Sequence, residues 1–290
     1  MSNVLAVGIA VVDIVNTVEH YPAEDDELRA TKQSIQRGGN ASNSLVVLSQ
    51  LGHQCSWCGT ISDDAYASVI RDDLSHYSID VSNAILCQHA SSPLSCITMS
   101  ENSGKRSIVH FRNLPELDYS GFSKMDISTY DWIHFEGRNI DQTELMLQAV
   151  RKSRPGLPVS IEIEKPREDI ERLYPFSNIL FFSRVFVEQQ GFNHAKAFLM
   201  AMHNRYPDKE HYCGWGDQGA YAINKSGEPI HVAATAGINV VDTVGAGDVF
   251  NAGIIDAKIK HLSLQDSLSH ACGLAGKKCA QYGFENLDNN

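Results

Sequence analysis

Short apolar segments recur along the chain and are separated by longer segments of mixed character. The mainly apolar segments occupy residues 4–7, 132–135, 159–163, 179–182 and 212–215. Segments of this length predict strands that are covered on both faces of a sheet. Helical patterns lie between several of them, for example after Asp141 and over residues 193–203. Because strands alternate with helices, the sequence predicts an α/β fold with a mostly parallel sheet.

A helix is predicted to start near residue 40. Asn40 is a favourable N-cap residue, and Ala41, Leu45 and Leu48 follow at intervals that place them on one face. Gly52 lies just beyond the predicted end, where glycine commonly terminates a helix. These signals predict a helix that packs one side against the sheet.

The last third of the chain contains two further helix patterns. One starts at residues 247–248 and carries Phe250, Ile254 and Ala257 on one face. The other covers residues 264–279 and again has small and apolar residues on one side. Two helices are therefore expected near the C-terminal end of the chain.

Two segments depart from this alternation. Residues 12–36 are polar and interrupted, and residues 94–112 have the pattern of a hairpin that turns at residues 101–104. We expect both segments to form a small sheet attached to the main domain. The sequence has no internal repeat or long linker, so residues 1–290 are predicted to form one domain.

The overall composition narrows the class of ligand. The net charge of −11 is unfavourable for a general nucleic-acid or anionic-membrane binder, because those partners attract positive charge. No segment approaches the ~20 apolar residues of a membrane span, and the N-terminus lacks the basic start of a signal peptide. We therefore expect a cytoplasmic protein that acts on small molecules.

The seven cysteines suggest no disulfide framework. Cys55 and Cys58 have the C-x-x-C spacing of metal and redox sites, but no second pair accompanies them. A structural role for these thiols is favoured over a zinc or redox site.

The densest chemical signal is the glycine-rich segment 242–253. Gly245, Ala246 and Gly247 are small residues that open a helix, so their amides can approach an anion closely. Asp248 lies in the first turn, where its carboxylate could take a proton from a hydroxyl group. Taken alone, the segment fits a tight turn followed by a favourable first-turn acid equally well.

A second signal lies at residues 37–43. Two glycines allow close approach of the backbone to a ligand, while Asn40 and Asn43 share one helical face. With a nearby carboxylate such as Asp13, they supply the donors and acceptors that sugar hydroxyls need. The spacing alone slightly favours a helix cap and a surface asparagine.

Together these two segments resemble the paired signatures of the ribokinase or PfkB-type carbohydrate kinases. The first signature is residues 38–43 and the second is residues 242–248. Their order and separation match that family, and their joint occurrence is more specific than either alone. Within the family the ketohexokinases are the most similar group. That likeness extends through residues 21–25, 132–139, 164–168 and 275–279, and so covers essentially the whole chain.

The resemblance implies a fold, an activity and cofactors. The fold would be a ribokinase-like three-layer α/β/α domain with a mostly parallel central sheet, and residues 12–36 and 94–112 would form its β-sheet lid. The activity would be phosphorylation of a ketohexose such as fructose to the sugar 1-phosphate, with ATP and Mg²⁺. Two alternatives are a kinase of ribose, adenosine or another hexose, and an inactive relative that only binds ligands.

The resemblance also assigns roles to individual residues. Asp248 would be the catalytic base, beside an anion hole made by Gly245, Ala246 and Gly247. The sugar would be bound by Asp13, Gly39, Asn40, Asn43 and Asp248. The nucleotide would be bound by the anion hole and by Arg106, Gly216, Asp217, Gln218, Gly219 and Arg138. For Arg138 a surface salt bridge is an equal alternative.

The resemblance further implies a homodimer in which two lids clasp. Asp25 would then reach the sugar bound to the neighbouring subunit, although its acidic surroundings also fit a solvated loop charge. Many members of the family have an Asn-x-x-Glu motif that helps to organise Mg²⁺. Residues 183–186 stand in its place and lack both side chains, so the metal ligands stay unassigned. Mg²⁺ is expected to arrive with ATP and to keep most of its waters.

Overall fold

A mostly parallel sheet of eight strands forms the centre of the molecule. The computed structural model describes residues 1–103 and 105–288. From one edge to the other, the strands are β14 (Pro229–Val232), β13 (Ala220–Ile223), β12 (Glu210–Gly214), β11 (Ile179–Phe182), β10 (Val159–Ile163), β9 (Trp132–Glu136), β1 (Asn3–Val7) and β4 (Gln54–Cys58). The strands from β4 to β12 pair in parallel, whereas β13 and β14 are antiparallel additions at one edge.

Helices cover both faces of this sheet. One layer contains α1 (Asn40–Gln50), α2 (Tyr66–His76), α7 (Ala246–Ile259) and α8 (Leu264–Cys279). The other layer contains α3 (Tyr119–Phe122), α4 (Ile140–Ser153), α5 (Arg184–Gln189) and α6 (Ala195–Arg205). Strand β1 shows why both layers form, because Val4 and Ala6 enter one apolar cluster and Leu5 and Val7 enter the other. The predicted three-layer α/β/α architecture is confirmed.

A second, four-stranded sheet stands apart from the central one, and we call it the lid sheet. Its strands, in spatial order, are β3 (Lys32–Gly38), β2 (Val11–Val18), β7 (Leu94–Ser100) and β8 (Arg106–Phe111). Both of the segments that departed from the strand–helix alternation contribute to it. Two further short strands, β5 (Thr60–Ser62) and β6 (Ile85–Cys87), pair in parallel as a separate two-stranded sheet. Of the hairpin turn predicted at residues 101–104, Gly104 lies outside the described residues.

Several predicted boundaries need correction. The N-cap of α1 is Gly39 rather than Asn40, which is the first helical residue. Gly39 has φ of 110°, and a Cβ atom there would lie 2.3 Å from the carbonyl oxygen of Ile9, so only glycine fits this position without strain. The strand predicted at residues 212–215 lies at Glu210–Gly214. Helix α7 begins at Ala246, one residue before the predicted start at residues 247–248.

All seven cysteines are free. Cys55 belongs to the apolar cluster on one face of the central sheet and Cys58 to the cluster on the other face. The two thiols therefore point in opposite directions, which agrees with a structural role. In the part of the chain that the structure describes, no helix is long and apolar enough to cross a membrane.

Candidate active site

The two glycine-containing segments meet where α1 and α7 begin. Asn43 donates a hydrogen bond from Nδ2 to Asp248 Oδ2 at 2.6 Å, although the two residues are 205 positions apart in the sequence. The hydroxyl of Ser44 donates to the Asp248 carbonyl at 3.0 Å. Both helices carry buried apolar residues of the same cluster, so packing holds their N-terminal ends together. The fold thus converts two sequence signals into one site.

The carboxyl group of Asp248 is buried but retains one free oxygen. Oδ1 has no hydrogen-bond partner among the described residues, whereas Oδ2 accepts from Asn43. Burial raises the pKa of Asp248 above its ordinary value; the bond from Asn43 opposes this rise, and the charges of Glu164 and Glu136 add to it. A carboxyl group with a raised pKa is a stronger base once it is deprotonated.

The orientation of the Asn43 amide is fixed by Arg37. The Arg37 guanidinium donates to Asn43 Oδ1 at 2.7 Å and to Ser42 Oγ at 2.8 Å, and its Nε pairs with Asp73. Because Oδ1 faces an arginine, the NH₂ group of Asn43 must face Asp248. Our sequence reasoning assigned no role to Arg37. The available signal was its position directly before Gly38 and Gly39, in a segment that the sequence already singled out.

Glu162 is a second carboxyl group at this site that sequence reasoning missed. It lies on β10, borders the cavity described below, and accepts a 3.0 Å hydrogen bond from Asn251 Nδ2. Burial raises the pKa of Glu162 well above its usual value, and the nearby Asp248 carboxylate raises it further. An acidic residue within a strand that the sequence predicts to be buried was the available signal. Two neighbouring buried carboxylates are both charged only when a cation or donor compensates them.

The N-terminus of α7 presents free amides beside Asp248. Gly245 is the N-cap, with φ of 77°, and a Cβ atom there would lie 2.4 Å from the Phe284 ring. The amide of Ala246 donates to the Thr243 carbonyl at 3.3 Å. The amides of Gly247 and Asp248 have no acceptor among the described residues. This helix terminus is therefore able to bind an anion.

A cavity of about 690 Å³ opens in front of this helix terminus. Ala246 and Gly247 form part of its wall, and α8 contributes Cys272 and Cys279. The loop at residues 216–219, with a short 3-10 helix at Gly216–Gln218, lies at another side. Of this loop, Gly216, Asp217 and Gly219 line the cavity, whereas Gln218 does not. The volume is in the range of pockets that bind nucleotides and similar ligands.

The predicted sugar-binding residues come from β2 of the lid sheet, the N-terminal end of α1 and the first turn of α7. Asp13, on β2, is buried beside Gly38, where a Cβ atom would lie 2.4 Å from Asp13 Oδ2. Burial raises the pKa of Asp13, and this is opposed by a hydrogen bond from Ser95 and by the charge of Arg37. The side-chain amide of Asn40 lowers the pKa of Glu162, against the larger effect of burial. The structure therefore brings Asp13, Gly39, Asn40, Asn43 and Asp248 into one region.

Three other predicted site residues lie elsewhere. Arg138 does not line the cavity; it is mostly buried and pairs with Glu136 and Glu116, each at 3.0 Å. Arg106 is exposed on β8 and does not line the cavity either, but its charge reaches Asp13 and lowers the pKa of that residue. Asp25 is exposed in the loop between β2 and β3, with φ of 65°.

Comparison with known proteins gives a consistent result. The family model described as pfkB family carbohydrate kinase matches residues 1–289. The ketohexokinase of Mus musculus is 37% identical over 98% of this chain and 98% of its own length. A fructosamine kinase of Bacillus subtilis is 26% identical, over 92% of this chain and 89% of its own length.

Solved structures show the same fold. Ribokinase of Arabidopsis thaliana, in a complex with ribose and ATP, superimposes with a TM-score of 0.81 at 19% identity. The match covers 97% of this chain and 94% of the ribokinase. The predicted ribokinase-like fold and the predicted resemblance to ketohexokinases are both confirmed. The chain belongs to the pfkB family of carbohydrate kinases and is an ATP-dependent carbohydrate kinase.

Proposed function

We propose that this kinase transfers the γ-phosphoryl group of ATP to a ketohexose, with fructose as the substrate and its 1-phosphate as the product. The observation that carries the proposal is the contact between Asn43 and Asp248 beside the free amides of Gly247 and Asp248. A base and an anion-binding helix terminus are the two parts that phosphoryl transfer to a hydroxyl requires. The identity to mouse ketohexokinase supports the choice of sugar.

ATP would occupy the cavity of about 690 Å³, with its phosphates directed toward the N-terminus of α7. The loop at residues 216–219 and the side chains of α8 would contact the rest of the nucleotide. Asp13, Gly39, Asn40 and Asn43 would hold the sugar hydroxyls through carboxylate, amide and backbone groups. This arrangement brings the acceptor hydroxyl between Asp248 and the γ-phosphate, which lowers the entropic part of the barrier.

In the chemical step, Asp248 Oδ1 accepts the proton of the attacking sugar hydroxyl. The sugar oxygen forms a bond to the γ-phosphorus, while the bond from that phosphorus to the bridging oxygen breaks and ADP leaves. The free amides of Gly247 and Asp248 at the start of α7 stabilise the charge on the transferred group. Losing one well-placed donor of this kind typically costs ~3 kcal/mol in the transition state.

Mg²⁺ is proposed as the second cofactor, and the residues present fit a metal that is held mainly by ATP. No group of three or more His, Cys, Asp or Glu residues within 1–103 and 105–288 could hold a metal ion. Glu162 and Asp248 would face the waters of Mg²⁺ bound to the phosphates, and its charge would compensate these two carboxylates. When bound, Mg²⁺ neutralises charge on the phosphates.

A homodimer through the lid sheet is proposed as the assembled form. Three large apolar residues of the edge strand β8 support it: Ile108, Val109 and Phe111 are 52%, 73% and 56% exposed. An apolar edge strand of this kind needs a partner or a cover. Asp25 would then contact the sugar of the neighbouring subunit. The cytoplasm is the proposed compartment, because seven free cysteines suit reducing conditions.

A coupled assay of ADP production tests the choice of substrate. Fructose, ribose, glucose and adenosine are each supplied with MgATP, and fructose is expected to give the highest kcat/KM. Because a fructosamine kinase is among the relatives, fructosamine is added to the panel. A higher kcat/KM with any other acceptor would replace fructose as the substrate. No turnover with any acceptor, together with retained binding of ATP and sugar, would indicate an inactive relative.

A further inference from the structure

A fully buried lysine lies at the end of α8, outside the site described above. Lys278 has no exposed surface. Its Nζ lies 2.8 Å from Asp242 Oδ2, 3.2 Å from the Asp242 carbonyl oxygen and 3.4 Å from the Gln281 carbonyl oxygen. Nζ also lies 5.5 Å from the centre of the Phe284 ring. An ammonium group is costly to bury, so a cage of acceptors that compensates its charge indicates a specific requirement at this point.

The acceptors of Lys278 belong to the segment that leads into the anion-binding helix. Asp242 Oδ1 accepts from the Val244 amide at 2.9 Å, while Oδ2 pairs with Lys278. The amides of Val241 and Asp242 both donate to the Cys279 carbonyl, at 2.7 and 3.2 Å. The C-terminal end of α8 thus fastens residues 241–244 through backbone and side-chain contacts together.

The next residue of that segment is the N-cap of α7. Gly245 has φ of 77°, and the Phe284 ring lies so close that a Cβ atom would meet it at 2.4 Å. Phe284 also faces the Lys278 ammonium. The lysine therefore contacts both groups that fix Gly245 from outside, namely Asp242 on the chain before it and Phe284 against its α-carbon. The backbone at Gly245 determines where the following amides point.

We propose that Lys278 is a positioning residue for phosphoryl transfer, which sets the free amides at the start of α7 through Asp242 without touching the substrate. This inference rests on the proposed function of that helix terminus. A buried ion pair adds little net stability compared with an apolar pair of similar size. A need to place the oxyanion donors precisely explains why a buried ion pair lies at this point. Small displacements of such donors reduce catalysis strongly.

The test replaces the lysine by an uncharged residue of similar length. Lys278→Met is expected to lower kcat by roughly 10- to 100-fold while the KM for the sugar changes by less than about 3-fold, because the donors act on the transferred group. Lys258→Met is the matched control. It also removes an ion pair, Lys258 Nζ to Glu210 Oε1 at 2.9 Å, but at the far end of α7. The control is expected to keep the wild-type kcat.

A binding measurement separates positioning from general damage. Calorimetry with MgADP alone is expected to give wild-type affinity for Lys278→Met, because the cavity is intact. MgADP with aluminium fluoride and fructose mimics the transferred phosphoryl group, and its affinity is expected to fall by a factor similar to the loss in kcat. Equal losses of affinity for both ligands would overturn the proposal, as would a folded variant with wild-type kcat.

A second variant covers the case in which Lys278→Met does not fold. Asp242→Asn keeps the side-chain shape and weakens the same contact, so its kcat is also expected to fall with little change in sugar KM. Wild-type kcat in Asp242→Asn would overturn the proposal. Asp248→Asn tests the proposed function separately: if it abolishes turnover while Asp242→Asn has none of these effects, only the inference about Lys278 fails.

Discussion

The amide of Asn43 connects an arginine with the proposed base, and this contact controls the base's proton affinity. Arg37 fixes Oδ1 of the amide, so that Nδ2 donates to Asp248 and leaves Oδ1 of Asp248 for the substrate. The bond from Asn43 lowers the pKa of Asp248, against the larger effect of burial. The rate of the reaction should therefore depend on pH through the protonation state of Asp248.

We predict that kcat/KM falls as the pH drops through a pKa well above ~3.9, the ordinary value for aspartate. Only deprotonated Asp248 accepts a proton, so a raised pKa moves the acidic limb of the profile to higher pH. Asn43→Ala should move that limb further up, because the carboxylate loses a donor that stabilises its charge. The measurement is the pH profile of kcat/KM for both proteins.

Ser44→Ala provides the control for this shift. Its hydroxyl donates to the backbone carbonyl of Asp248 rather than to the carboxylate, so the acidic limb should stay in place. A limb that moves to lower pH in Asn43→Ala, or that moves equally in both variants, contradicts this role of Asn43.

At the scale of elements, α7 holds a second buried carboxylate two turns after Asp248. Asp256 has no exposed surface, and His53 and His270 place Nε2 atoms 2.9 and 2.7 Å from its oxygens. Lys260 Nζ lies 2.8 Å away. Burial opposes the charged form, but these partners outweigh it and hold the pKa of Asp256 well below its usual value. The cluster thus anchors α7 to α8 and to the residue before β4.

Asp256→Asn should reduce the free energy of unfolding by roughly 2–4 kcal/mol at pH 7, because three partners lose their common charge. A depressed folded-state pKa contributes stability above the unfolded-state pKa of ~3.9, and this is lost as the pH falls through the folded-state value. The difference between wild type and variant should therefore shrink below pH 4. Urea unfolding at pH 7 and at pH 3 measures both quantities.

Asp72→Asn, on the exposed side of α2, is the control and should change stability by less than about 0.5 kcal/mol. A stability difference for Asp256→Asn that is the same at both pH values would show that the carboxylate charge is not what stabilises α7.

The elements also show what the sequence pattern could and could not predict. The final helix was predicted over residues 264–279, the range that it occupies, because its periodicity is long and regular. A helix was predicted after Asp141, where α4 lies, but its pattern did not define the buried face, which consists of Thr143, Met146, Leu147 and Val150, while Leu145 is exposed. The antiparallel strands β13 and β14 were not predicted, since strands of four residues carry little periodicity. Packing against neighbours, which a local pattern does not contain, decides such cases.

At the scale of the whole molecule, the lid sheet and the central sheet differ in how far their surfaces are covered by other elements. The central sheet is covered on both faces, whereas every residue of β8 is exposed.

Two site groups far apart in sequence, Gly39–Asn43 and Gly245–Asp248, were identified because each has an unusual local composition. Glu162, Arg37 and Lys278 were missed because a local pattern shows at most that a charged residue needs partners, whereas the packing of separate elements decides which partners it meets.

Val109→Glu should convert the proposed dimer into a monomer, because it places a charge in an apolar edge strand that would be buried between lids. Its KM for fructose should rise as well, since Asp25 would no longer reach the neighbouring sugar. Size-exclusion chromatography with light scattering gives the mass. Met200→Glu, on α6, is the control, since this apolar residue is also exposed, at 45%, and lies outside the lid sheet.

Asp25→Asn separates the formation of the dimer from the proposed contact of Asp25 with the sugar of the neighbouring subunit. It should leave the mass of the particle unchanged and raise the KM for fructose. A wild-type chain that is monomeric at assay concentrations with full activity would contradict the proposed assembly.

The central claim is that Asp248 accepts the proton of the sugar hydroxyl, and its most direct test is the turnover of Asp248→Asn with fructose and MgATP. The variant preserves the shape of the side chain and removes its basicity, so kcat should fall by roughly 10²–10⁴-fold. Fructose binding, measured by calorimetry on the same protein, should be largely retained. Turnover close to that of the wild type in a folded Asp248→Asn protein would contradict the mechanism.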